Sequence, residues 1–412
     1  MGRRVGFSNG SSKRKRSIAV LFVVLMGVVG LLSDVATEGT RCVTGPFLGL
    51  LGASAIIVSL VAGLSELVGY SLRIVFGWLV DRTGNYWAPV IIGYAINLVA
   101  VPALALAGDW FAAVTLIMLE RMGRAIRGPA RDAMLSYASK DVGRGWTFGV
   151  QEALSSVGGM IGPAILVAVM ALGGDYRLGF EVLLVPALLA LVLAIHAWQV
   201  NPRPRELEGS CPPAERKRPL PRLFWAYILA GALIAAGYAD FPLIALHMGT
   251  FAGVSDGWIP VMYAIVMASD GLSALVFGRT YDHIGLLPLV VMSAVVPLFV
   301  PLLFSSDIAI VIVGLLLYGV GFGAQESVMR AVVADMTPHC RRGSAFGTYN
   351  AVFGASWFLG SLTMGVLYDL SIVALMFFSM ALQLAAIPVL VHVMRDRALV
   401  PYGRKKEAEA DG

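Results

Sequence analysis

The sequence predicts an all-α membrane protein: twelve transmembrane helices in two pseudo-symmetric six-helix bundles. Three observations support this: the composition, twelve long apolar stretches, and a repeat relating the two halves. Of 412 residues, 58% are apolar and only 14% charged, whereas soluble domains carry about 25% charged residues. The mean hydropathy of +0.78 points the same way. These values exclude an ordinary soluble enzyme, a disordered chain and a collagen-like repeat. Cys42, Cys211 and Cys340 are scattered and odd in number, so they predict neither a disulfide framework nor a zinc site.

A helix needs about 20 apolar residues to cross a ~30 Å hydrocarbon core. Twelve stretches meet that need, at roughly 18–43, 54–80, 87–107, 110–138, 145–172, 179–199, 222–248, 257–281, 287–305, 308–336, 343–368 and 372–394. The first follows Lys13, Arg14, Lys15 and Arg16 but is long and lacks a clean small-residue cleavage site, so it reads as an uncleaved span. With the N-terminus inside, 23 of the 31 Lys and Arg residues fall on inner segments, and the short outer loops hold only Arg177. Such a bias predicts that both termini are cytoplasmic, in the cell (plasma or inner) membrane.

Residues 201–221 hold six prolines, with basic and acidic residues interleaved, and read as a solvated linker. The expected organisation is a basic tail (1–17), a first bundle (18–200), the linker (201–221), a second bundle (222–395) and a second tail (396–412).

The halves repeat each other. Gly77-x-x-x-Asp81-Arg82-x-Gly84 recurs as Gly278-x-x-x-Asp282-His283-x-Gly285. Arg144-Gly145-x-x-Phe148-Gly149 recurs as Arg342-Gly343-x-x-Phe346-Gly347. Each copy falls at an equivalent inner junction, the end of span 2 or 8 and the start of span 5 or 11. Duplicated halves joined by a linker are a recurrent transporter plan, with substrate held near the midplane between repeats.

Twelve spans, the 6+6 repeat and the G-x-x-x-D-R-x-G signature after span 2 resemble the major facilitator superfamily, over nearly the whole chain. The segment from Glu120 to Asp132 is similar to a fourth-span pattern of an uncharacterised bacterial and archaeal permease subgroup. The chain departs from the family pattern at Asn85 and Tyr86, where basic residues are usual, and at His283, where the first copy has Arg82. Gly158-x-x-x-Gly162-Pro163 resembles part of an exporter motif without its trailing glycines, and tilts the expectation toward export.

Gly77, Asp81, Arg82, Gly84, Arg131, Asp132, Arg144 and Asp282 are the expected cytoplasmic gate. Asp81 can pair with an arginine or cap a neighbouring helix, and the glycines permit close approach and a tight turn. A fixed-loop role for the same residues is the alternative.

Ionisable residues inside apolar spans cost roughly 2.5–3.5 kcal/mol each at a helix centre, so each must face a partner or a cavity. Nine acids and seven arginines are embedded. Asp34, Glu38 and Arg41 share one face of span 1, and span 4 carries Glu120, Arg124, Arg127 and Arg131 along one stripe with Arg121 beside it. Arg41, Glu120, Arg121, Arg124 and Arg127 are the expected substrate path, because guanidinium forks suit anionic groups. The alternative is that these arginines only neutralise internal acids. Asp34, Glu38, Glu66, Glu152 and Asp240 are the expected proton or ion carriers. Under the repeat shift, Arg121, Arg124 and Arg127 align with Gly319, Phe322 and Gln325, so the second half is the smoother one.

Neither a nucleotide-binding loop nor a histidine pair at metal-ligand spacing is visible. The sequence therefore predicts a secondary active transporter, not an enzyme, with no catalytic residues, metal site or cofactor beyond an ion gradient, protons first and sodium second. The expected partners are a small polar or amphipathic solute and the bilayer, without nucleic acid, and the expected state is a monomer. A transporter-like receptor or assembly platform is the rival reading.

Overall fold

A computed structural model describes residues 8–204, 219–254 and 258–395. It contains the twelve expected helices, α1 (Ser8–Leu50), α2 (Ala55–Thr83), α3 (Trp87–Leu106), α4 (Trp110–Ala138), α5 (Arg144–Ala171) and α6 (Tyr176–Val200) in the first half. The second half holds α7 (Arg222–Phe251), α8 (Ile259–Ile284), α9 (Leu287–Leu303), α10 (Ile308–Met336), α11 (Arg342–Leu370) and α12 (Ile372–Arg395). Among the described residues, nine helices are long and apolar enough to cross a membrane and α9 is a shorter apolar one. The helices α2 and α4 complete the twelve. Helix α1 runs seven residues past its expected end at 43, with Pro46 inside it. Residues 1–7 and 396–412 of the two expected tails lie outside the described residues, as does the linker over 205–218, while residues 8–17, expected as tail, form the start of α1.

Local chemistry explains the helix ends. Asp109, Asp175 and Asp307 cap α4, α6 and α10 by accepting from the backbone N–H of Ala112, Leu178 and Ala309, which satisfies orphan donors and places negative charge at positive dipole ends. Helix α2 ends on Gly84 in the left-handed region, at φ 70°, a conformation that suits glycine. Helix α7 is interrupted between Gly237 and Phe241. Ser379 and Gln383 of α12 both donate to the freed Gly237 carbonyl, the kind of rescue that a break at membrane depth requires.

The helix pairings repeat with a shift of six. Helix α1 packs on α5 and α6, α2 on α4, and α3 on α4 and α6; likewise α7 packs on α11 and α12, α8 on α10, and α9 on α10 and α12. The halves meet through two equivalent crossings, α2 against α11 and α5 against α8, supplemented by α5 with α10 and α4 with α11.

The core is divided unevenly along the bundle axis. One apolar cluster joins both halves around Phe148 and Phe346, whose rings lie 5.8 Å apart. It includes Tyr86, Tyr137 and Tyr281, near the junctions where the sequence concentrates basic charge, hereafter the basic end. Toward the other end there are two separate clusters. One is confined to the first half, from Val35 to Ala187, and one to the second, from Tyr238 to Leu375. The halves are therefore welded at the basic end and parted at the opposite one.

Glycine makes the weld possible. A Cβ on Gly77 would collide with the backbone of Gly343, and one on Gly278 with the backbone of Gly145. Overpacking a well-fitted contact costs roughly 1–3 kcal/mol. Gly278→Leu should therefore lower the thermal midpoint and speed amide exchange at the start of α5, as read by hydrogen-exchange mass spectrometry. Wild-type exchange in that variant would contradict the close crossing.

Candidate functional site

The charged faces of α1, α2 and α4 converge in the first half and form a closed ring. Arg41 lies 3.7 Å from Glu38 and 3.1 Å from Glu66. Arg121 lies 3.5 Å from Glu66 and 3.4 Å from Glu120. Arg124 lies 3.4 Å from Glu120 and 3.2 Å from Glu38, which closes the circuit. Three arginines alternate with three glutamates, each touching two partners of opposite sign. Fully ionised, the ring is neutral.

The ring faces the parted end. Side-chain exposure is 51% at Arg41, 32% at Glu66 and 20% at Arg124, and falls to 8% at Arg121 and 7% at Glu120. Exposure thus falls from Arg41 inward to Glu120. The structure brings together six of the residues that the sequence assigned to coupling or to the substrate path. It also gives each ring arginine carboxylate partners, as the neutralisation reading expected.

The other assigned residues sit beside the ring or beyond it. Arg127 is buried without a carboxylate partner among the described residues. It donates to Ser33 Oγ at 2.7 Å and lies 4.5 Å from the centre of the Tyr94 ring. Asn97, with its amide oxygen turned inward, accepts from the same guanidinium. Asp34 accepts from Ser155 Oγ at 2.5 Å. Asp240 accepts from Trp357 Nε1 and Ser361 Oγ, within an aromatic wall that includes Tyr238 and Phe322. Glu152 of α5 pairs across the halves with Arg330 of α10, which also holds Glu326.

At the basic end both repeat copies act alike. Asp81 accepts from the N–H groups of Gly343 and Ser344 at 2.9 and 2.6 Å, and so caps α11. Asp282 accepts from Gly145 and Trp146, both at 2.8 Å, and caps α5. Helix capping, one of the two options for Asp81, is observed. Each carboxylate meets two backbone donors and a positive helix end, in the partner half.

The remaining gate residues differ in placement. Arg144 pairs with Asp335 of α10, and Tyr281 donates to the same carboxylate at 2.7 Å. Arg82 stacks over Trp78 at 5.0 Å. Arg131 and Asp132 pair with each other at 3.1 Å.

Asp335, Tyr281, Ser33 and Ser155 were missed from the sequence. Asp335 aligns with Tyr137 in the other half, so no repeated charge marks it. A lone serine in a span carries no signal until its neighbour is known.

A family model described as Major Facilitator Superfamily matches residues 16–291 and 241–410. The chain belongs to that superfamily. An uncharacterised protein of Mycobacterium tuberculosis is 39% identical over 399 residues, covering 95% of this chain and 98% of its own. An uncharacterised transporter of this type from Methanocaldococcus jannaschii is 25% identical over 358 residues, covering 85% of this chain and 89% of its own.

Solved structures share the fold at low identity. The human organic anion transporter MFSD10 superimposes with a TM-score of 0.74 at 13% identity, over 90% of this chain and 99% of that one. A bacterial homologue of the iron transporter ferroportin, in an outward-facing state, gives 0.73 at 13%, over 91% and 100%. The protein is thus an all-helical, multi-pass membrane transporter of the major facilitator fold.

Asp81→Asn leaves one acceptor oxygen where two backbone donors wait. Losing a hydrogen bond to a charged group costs about 1.5–3 kcal/mol, or roughly ten- to a hundredfold in an equilibrium. Amides at the start of α11 should exchange faster by that factor while the rest of the bundle is unchanged. Unaltered exchange there would mean that the cap does not hold the halves together.

Proposed function

We propose that this protein is a secondary active transporter that works by alternating access and moves a small organic anion together with a proton. The observation that carries the reading is the neutral ring of three arginines and three glutamates, exposed at Arg41 and buried at Glu120. Protonating one glutamate leaves the ring with one surplus positive charge and two guanidiniums short of a partner. That is the moment at which an anionic group fits, since a fork of N–H donors matches a carboxylate or phosphate edge. Proton binding and anion binding are then linked, and the linkage is reciprocal.

Positive-inside bias supports a cytoplasmic basic end, with both termini inside. The weld at that end and the parting at the other then correspond to an outward-facing conformation in the cell membrane. In this reading the Asp81 and Asp282 caps are the contacts that alternate. Co-movement of proton and anion favours uptake when the proton gradient points inward, against the tilt toward export in the partial glycine motif.

Two variants test the ring in proteoliposomes, with pools of organic acids as candidate substrates. In the wild type, anion binding should tighten as pH falls through the titration of a ring glutamate. Glu38→Gln should bind the anion at all pH values and lose gradient-driven accumulation while keeping downhill exchange. Arg124→Lys keeps the charge but loses the fork, and should weaken an anionic ligand by about ten- to a hundredfold, the worth of roughly 1.5–3 kcal/mol. It should weaken a neutral analogue of the same shape far less. Wild-type accumulation in Glu38→Gln, or equal losses for both ligands in Arg124→Lys, would leave the ring as structure alone.

A further inference from the structure

Asp270 is a buried carboxylate with no part in the ring or in the caps. It lies within α8 where that helix crosses α5 of the other half, and it is 1% exposed. Its Oδ2 is 2.6 Å from the hydroxyl oxygen of Ser156 on α5. The same hydroxyl is 2.8 Å from the carbonyl oxygen of Glu152, one turn earlier in α5. A serine hydroxyl has one hydrogen to donate. If it goes to the carbonyl, the contact with an ionised Asp270 has no hydrogen in it. If it goes to Asp270, the carbonyl, already bonded to the Ser156 N–H within α5, meets a hydroxyl lone pair across that 2.8 Å contact. One chain satisfies both contacts: a protonated Asp270 donates to Ser156, and Ser156 donates to the Glu152 carbonyl.

The second oxygen agrees with this count. Asp270 Oδ1 has no donor among the described residues and lies against Gly323 of α10, where a Cβ would come within 2.8 Å of it. An ionised carboxylate with a bare oxygen in the interior is costly, and the carbonyl oxygen of a neutral acid is much less so. The surrounding charges point the same way. Glu152 faces Asp270 from α5, and Glu326 and Arg330 face it from α10. Phenols of Tyr238, Tyr263 and Tyr318 complete the titratable surroundings, and α9 contributes none. Arg330 is already shared between Glu152 and Glu326, so a third negative charge here would have no counter-ion among these groups.

We propose that Asp270 is a proton-binding site between the two halves, holding its proton while α5 and α8 are closed on each other at the basic end and releasing it when they part. The proton moves between the Asp270 carboxyl and water that enters once Ser156 withdraws. This site rests on the alternating-access reading but not on the ligand of the ring. It ties the closed state to acidity, because the closed state binds one more proton than the open one and so loses stability as pH rises.

The test uses the full chain in lipid nanodiscs and needs no substrate. Infrared spectroscopy at neutral pH should show the carbonyl stretch of a protonated carboxyl, retained in Asp34→Asn, lost in Asp270→Asn, and shifted to higher frequency in Ser156→Ala. Ser156→Ala keeps the experiment decisive if Asp270→Asn folds poorly. Amide protection at the start of α5, corrected for intrinsic exchange, should fall with rising pH by up to about tenfold per pH unit, the slope that one linked proton sets. In Asp270→Asn that dependence should disappear. An unchanged band in both variants, or the same pH dependence in Asp270→Asn, would overturn the proposal. Failure of proton-driven uptake with these results intact would count against the coupling reading of the ring alone.

Discussion

Ions do not sit in hydrocarbon without a partner, and that constraint organises this molecule. Each charge facing lipid at a helix centre costs roughly 2.5–3.5 kcal/mol. The stripe on α4 can be inserted only if α1 and α2 bring carboxylates to it. For Arg121 and Arg124 they do, in a ring where each guanidinium touches two glutamates, while Arg127 is met by Ser33 and the Tyr94 ring and Arg131 by Asp132. The rotation of α1, α2 and α4 about their axes, and hence which faces are left for lipid, follows from closing that circuit. In the proposed mechanism the same neutrality leaves the ring without standing affinity for an anion until one glutamate takes a proton.

A second layer of constraint lies at the interface between the halves. The two crossings are held by backbone approaches at glycine and by carboxylates that cap helices of the opposite half. Both contacts are good at contact distance and are lost together on separation, because a dipole field falls off within a helical turn. In the proposed alternating-access cycle such an interface switches rather than stretches. Deeper along it, Arg330 reaches across to Glu152, so parting α5 from α10 breaks an ion pair as well. Charge is therefore rearranged whenever the halves move, which is the requirement for coupling movement to a gradient.

Much of this was legible in the sequence, and the limits have physical causes. Helix count and the pseudo-symmetry follow from span length and from the repeated Gly-x-x-x-Asp and Arg-Gly-x-x-Phe-Gly motifs, because those signals are local. A set of ten candidate residues was legible because ionisable residues in a span have few places to go, but which six of them form the ring was not. Pairing was not legible. Arg124 could have met Asp34, yet it meets Glu38 and Glu120, while Asp34 accepts from Ser155. Helix rotation decides between those outcomes, and spacing does not report rotation between helices. Asp335 escaped notice because a single acid near a helix end reads as a solvated residue, while its partners Arg144 and Tyr281 lie far away in sequence. The break in α7 also escaped, since the Ser379 and Gln383 side chains that stabilise it come from α12.

A double-mutant cycle between Arg121 and Glu66 tests the ring most directly. The pair is 3.5 Å apart and joins α4 to α2. Removing either partner alone leaves an unbalanced charge, whereas removing both leaves the remaining two arginines and two glutamates neutral. Thermal unfolding of Arg121→Met, Glu66→Gln and the double variant should therefore be non-additive, with a coupling free energy of about 1 kcal/mol or more, within the range for contacting residues. The double variant should be more stable than the sum of the two single losses would allow, and no less stable than the less stable single variant. Additive losses would contradict the ring as a mutually neutralising unit.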